Sequence, residues 1–112
     1  MLSKGEGSWA QVAGLMKFGQ WEKIILIGDD FAKQKFNHLK KFEFVNVNTS
    51  QRLVDLKQEL LTKLKPKIEG TEVALTIASG IGKEHMALIS ALLSIPAGIR
   101  FTALTKEGIV FL

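Results

Sequence analysis

The stretch Ala78-Ser79-Gly80-Ile81-Gly82-Lys83-Glu84-His85 is where residue types and spacing could do chemistry in this 112-residue chain. Its two glycines let the backbone approach a ligand closely and reach dihedral angles closed to other residues. A helix opening here presents free N–H groups and a positive dipole end, which together favour an anion. Lys83 adds a mobile positive charge, Ser79 a hydroxyl and His85 a second polar group. The combination suits a phosphate or a ribose-phosphate backbone. It is not a Walker A loop, since Ile77 stands at the leading glycine position and Glu84 replaces the metal-binding Ser or Thr. Nor is it a dinucleotide fingerprint, because the third glycine is missing and the loop comes late in the chain. A plain strand-to-helix turn is the competing reading; the joint presence of Ser, Lys and His favours a ligand.

A second glycine cluster, Ser3-Lys4-Gly5-Glu6-Gly7-Ser8, precedes the first helix. If ordered it is another anion-accepting loop; otherwise it is a frayed terminus. The candidate ligand-binding set is therefore Gly5, Gly7, Ser8, Ser79, Gly80, Gly82, Lys83 and His85. Asp29 and Asp30 read as a helix cap and its neighbour rather than as paired catalytic carboxylates. His38 reads as a surface residue near a helix end. The two histidines lack metal-ligand spacing to each other, and there is no cysteine to form a disulfide or a thiolate site. No metal and no cofactor are expected. Trp9, Trp21 and the seven phenylalanines do not interleave with basic residues as in an RNA-stacking sheet. No Ser-His-Asp order selects itself, so the residues favour binding over catalysis.

The net charge of +4 raises the question of nucleic acid. The lysines are spread out, however, and Lys57, Lys63, Lys65 and Lys67 fall late in a helix, where cations suit the negative dipole end. A solvated face explains them better than a duplex-DNA patch, which needs a concentrated field. Residues 1–8 are polar and glycine-rich, without the apolar segment of a signal peptide. The longest apolar run, 86–95, is broken by Ser90 and Ser94 and is too short for a bilayer. The expectation is one cytoplasmic domain over 1–112, with no membrane contact.

These candidates must be positioned by a regular alternation of elements. Trp9, Val12, Ala13 and Met16 make one helical stripe within 8–20, with Ser8 to cap it and Gly19 to end it. A strand over 23–27 closes at Gly28-Asp29-Asp30. A helix follows over 30–40 with Ala32, Phe36 and Leu39 inward, then a strand over 43–47. Ser50 opens the longest helix, with Leu53, Leu56, Leu60, Leu61 and Leu64 as its apolar positions, closed by Pro66 and Gly70. A strand over 72–78, a helix over 81–93, and a hairpin of 98–105 and 109–112 turning at Lys106-Glu107-Gly108 complete the chain. The fold class is α/β: a Rossmann-like three-layer sandwich, its mostly parallel sheet of about five strands ending in an antiparallel edge strand. Ligands of such sheets bind beyond the carboxyl ends of the strands. Gly28-Asp29-Asp30, Asn48-Thr49-Ser50, the 79–85 loop and Thr105-Lys106 reach that edge. Residues 86–93 are apolar around more of the helix than one sheet face needs, which leaves a surface for other helices or for another chain.

The strand at 23–27 with its Gly28-Asp29-Asp30 end, and Ala74-Leu75-Thr76-Ile77-Ala78-Ser79-Gly80-Ile81-Gly82-Lys83 before an apolar helix, resemble a CRISPR-associated Rossmann-fold (CARF) domain. The resemblance implies a homodimer binding a cyclic oligoadenylate across its two-fold axis. It implies that Gly5-Glu6-Gly7-Ser8 forms the first ligand loop, and that Ser79, Gly80, Gly82 and Lys83 form the second. It leaves two alternatives to a nucleotide sensor. One is a metal-independent phosphodiesterase, a ring nuclease in which Lys83 and backbone N–H groups would stabilise the transition state. The other is an oligomerisation or adaptor domain without ligand.

Overall fold

The computed structural model describes residues 1–2, 8–68, 70 and 72–112. Helices α1 (Trp9–Phe18), α2 (Asp30–Lys35), α3 (Leu53–Leu64) and α4 (Gly82–Leu93) alternate with strands β1 (Ile25–Gly28), β2 (Glu43–Asn46) and β3 (Glu72–Leu75). Strands β4 (Gly98–Thr105) and β5 (Gly108–Phe111) follow as the antiparallel hairpin expected from the sequence. Gly108 turns it with φ +107°, a left-handed value that suits glycine.

The strands form two small sheets. Strand β1 pairs in parallel with β2, with Ile25 opposite Glu43 and Gly28 opposite Asn46. In the second sheet β3 pairs in parallel with β4, and β4 with β5. One continuous sheet of about five strands, expected from the alternating pattern, is therefore corrected: no ladder joins β1 to β3 among the described residues. The reason lies at the chain's start. Leu2 runs beside β1 and donates its N–H to the Ile27 carbonyl at 2.6 Å, so β1 turns this edge toward Met1 and Leu2 rather than toward β3.

Burial follows the two-residue period of β1. Leu26 packs with Leu2, with Trp9, Val12 and Met16 of α1, with Ala32 of α2 and with Phe36 just beyond it. Its neighbour Ile27 belongs to the other cluster, with Met1, Val45 and the buried leucines and alanines of α3 and α4. Leu56, Leu60 and Leu64 recur every four residues on α3 and are essentially inaccessible, as the leucine spacing predicts.

Several boundaries move for identifiable reasons. Helix α2 ends at Lys35, not at 40, because Phe36 turns extended and buries its ring against Trp9 and Phe42. Leu39, expected inward, is fully exposed as a result. Helix α3 takes Arg52 as its N-cap instead of Ser50, whose N–H is held by the Asn48 side chain at 3.0 Å. Such local turns compete with a cap. Asp29 does cap α2, accepting the Ala32 N–H at 3.0 Å. Gly19 ends α1 in extended backbone rather than left-handed; a side chain there would strike the Trp21 ring, whose N–H donates to the Leu15 carbonyl at 2.7 Å. The Trp21 ring packs edge-on against Phe111 of β5, and the Arg100 guanidinium lies 5.1 Å from the centre of the same Phe111 ring.

Candidate functional site

The chain leaves β3 at Leu75, three residues earlier than expected, and residues 76–81 carry it to the start of α4. Gly80 makes the bend with φ +115°. A β-carbon there would stand 2.7 Å from His85 Nε2 and 3.1 Å from the Met1 side chain, so dihedral and space both call for glycine. Gly82 is different. It opens α4 with ordinary helical backbone, and a β-carbon would meet nothing within 4 Å. The backbone there borders open space, and no strained turn depends on it.

The polar side chains of the loop have definite partners. His85 Nε2 lies 3.0 Å from the Ser79 carbonyl, which accepts from the ring N–H, so the imidazole closes the loop from within. The Glu84 side chain is buried and accepts the Ile81 N–H at 3.0 Å, the back-reaching half of a capping box. The N–H groups of Gly82 and Lys83 have no acceptor inside the helix, as for any first turn. The Lys83 ammonium donates to the Gln51 carbonyl at 3.0 Å, fixing the loop to the turn before α3. Ser79 is almost entirely buried.

Ser79 and Gly80 thus lie in the loop, and Gly82, Lys83 and His85 in the first turn of α4 that it opens, with His85 folded back onto the loop. Gly5 and Gly7 lie outside the described residues. Ser8 stands at the N-cap of α1, where its side chain makes no capping bond. His38, expected on the surface, stacks on Phe36 and places Nε2 3.2 Å from the Ala13 carbonyl.

Next to this loop, beyond the carboxyl ends of β1 and β2, lies a polar cleft of about 470 Å³. Asp29, Asp30, Asn46, Asn48, Ser50, Glu59 and Lys63 line it. Asn46 donates to Asp30 at 2.5 Å. Glu59 accepts from the Asn48 N–H, the Gln51 amide and the Lys63 ammonium at 3.0, 2.6 and 2.8 Å. Burial pushes the Glu59 carboxyl up, but Lys63 and the two amide donors outweigh it and leave the group below the usual range. Among the described residues no three acidic or histidine side chains gather as a metal-binding group.

Sequence reasoning missed Gln51, whose carbonyl holds Lys83 while its amide holds Glu59, coupling loop to cleft. It missed Met1 as well, which is buried under Gly80. The Glu59–Lys63 pair was visible as an i, i+4 contact on one helix face; Gln51 and Met1 carried no such signal. These features define an α/β chain with a glycine turn and a polar cleft at the carboxyl edge of parallel strands. No family model matches the chain, and no curated protein or solved structure does so either.

Proposed function

We propose that this chain is a nucleotide-binding module, in which the Gly80–Gly82 turn takes a phosphate and the adjoining cleft takes the polar part of the ligand. The observation that carries this reading is the coupling of the two through Gln51 at the strand ends, where open α/β sheets hold ligands. Open space above Gly82, two N–H groups without helical acceptors and the Lys83 charge supply the anion's side. Asn46, Asn48 and Ser50 offer donors and acceptors for ribose or base. In this reading the two half-sheets belong to one Rossmann-like three-layer arrangement, with the helices of the two clusters on its opposite faces.

The resemblance to CARF domains narrows the ligand to a cyclic oligoadenylate held by a homodimer. Met86 and Leu93 of α4 are 59% and 72% exposed and lie seven residues apart on one helical face, a surface suited to a second copy. Calorimetric titration of the chain and of Lys83→Ala with cyclic oligoadenylates tests the proposal. The substitution should weaken binding by about 1–3 kcal/mol, the range for one charge-assisted hydrogen bond. Equal affinity of the two proteins would remove Lys83 from the site, and no binding by either would remove the ligand class.

A further inference from the structure

Between the two sheets runs a cavity of about 420 Å³, lined along one wall by β1 and along the other by β3. The two walls run in the same direction. At one end Lys23, just before β1, donates to the carbonyl of Lys67, which precedes β3. At the other end Met1 and Leu2 lie between the carboxyl end of β1 and the Gly80 turn that follows β3. The ladder atoms of β1 divide cleanly. Ile24 and Gly28 turn their carbonyls to the β2 side, where Glu43 and Val47 donate to them, whereas the Ile27 carbonyl faces the cavity and takes the Leu2 N–H. Side chains of Val12 and Met16 from α1 close one face of the cavity, and those of Leu88 and Leu92 from α4 the other.

We propose that this cavity is the slot of a central β-strand supplied by polypeptide directly preceding Met1, running parallel to β1 and β3 and joining the two sheets into one. The carboxyl-terminal end of that strand is already present. Leu2 makes a ladder bond, and Met1 and Leu2 point to opposite clusters, as successive strand residues do. In a parallel ladder the bonds recur at every second residue, so the residue two before Leu2 would donate to the Ile25 carbonyl. The occupant is continuous with Met1 rather than a separate chain. The Met1 amine is entirely enclosed at the slot's end, a position that suits a neutral peptide bond and penalises an ammonium. With helices on both faces, the strand is an unbroken run of Val, Ile or Leu about as long as β1 and β3, four residues each.

Two experiments test this. In the first, the chain is extended immediately before Met1 by Ile-Val-Ile-Val or, as a control, by Gly-Ser-Gly-Ser. The apolar extension should raise Tm by roughly 5–10 °C over the control. It should also slow hydrogen exchange at the cavity-facing amides of β1 and β3. Equal Tm and equal exchange in the two extended proteins would overturn the proposal. So would protection of those amides by free Ile-Val-Ile-Val peptide but not by the fused segment, which would make the strand a partner's. The second experiment holds even if the apolar extension is insoluble. The polypeptide is isolated from its source cells and its amino-terminal peptide is read by mass spectrometry. A terminus upstream of Met1 with an apolar run supports the proposal, and a terminus at Met1 overturns it.

Discussion

In the chain that begins at Met1, the α-amine is wholly buried and its pKa falls from 8.0 to about 6, through burial and against the attraction of Glu84. That difference corresponds to about 3 kcal/mol between folded and unfolded states. The amine is a base whose folded pKa is depressed, so the unfolded chain binds the proton first as pH falls. Above about pH 8 both states are neutral there and the amine costs nothing. Between pH 8 and 6 the unfolded state gains a proton that the folded state refuses, and stability drops by the full amount; below pH 6 the loss is constant. Acetylating the amine removes this step. Urea unfolding of free and Nα-acetylated protein at pH 9 and pH 5 isolates the effect, because Glu84, His85 and His38 are common to both proteins. The free chain should lose about 3 kcal/mol more than the acetylated chain on acidification. Parallel losses in the two would mean that the amine reaches water, and the burial of Met1 would have to be abandoned.

Three further outcomes follow from the packing. Gly80→Ala should cost about 1–3 kcal/mol in chemical denaturation, through its positive φ and the 2.7 Å approach to His85, whereas Gly82→Ala should be nearly neutral. Similar losses at both positions would contradict the loop geometry. Leu60→Ala, at a fully buried position on α3, should cost about 2–5 kcal/mol, read from the urea midpoint at constant m. Lys23 first, with Lys67 in support, holds the Glu43 carboxyl below its ordinary value. Its contribution is present at neutral pH and lost as pH falls through the depressed pKa, so Glu43→Gln should flatten the acid limb of the stability profile; an unchanged limb would show that the pair is idle.

The alternation of helices and strands was legible because it rests on local periodicity. Leu56, Leu60 and Leu64 of α3 bury the face their spacing predicts while Leu53 is left exposed, Asp29 caps α2, and the Gly108 hairpin forms as its turn residues suggest. What the sequence did not yield was decided by contacts distant in the chain. Phe36 ends a helix early because Trp9 and Phe42 offer its ring a better place, an energy no local window contains. The free edge of β1 is met at its carboxyl end by Leu2, a terminal residue that read as part of a tail. At the candidate site, glycines and lysine were recognisable by type, but their roles were not. Only the folded chain distinguishes, by backbone angle and by surrounding space, Gly80, which the turn requires, from Gly82, which borders open space. The pairing of Lys83 with Gln51 joins residues 32 positions apart.

The hairpin's outer strand has a consequence for life at high concentration. A terminal strand offers backbone groups that another copy can pair with, the first step of edge-to-edge aggregation. Here that strand is only four residues long, and its Phe111 ring is engaged by Trp21 and shadowed by the Arg100 guanidinium. A short edge with a positive charge held over its exposed aromatic is a poor template for stacking, since each added copy would bring a like charge against the last. The Trp21–Phe111–Arg100 cluster therefore guards this edge as well as packing the hairpin against the end of α1.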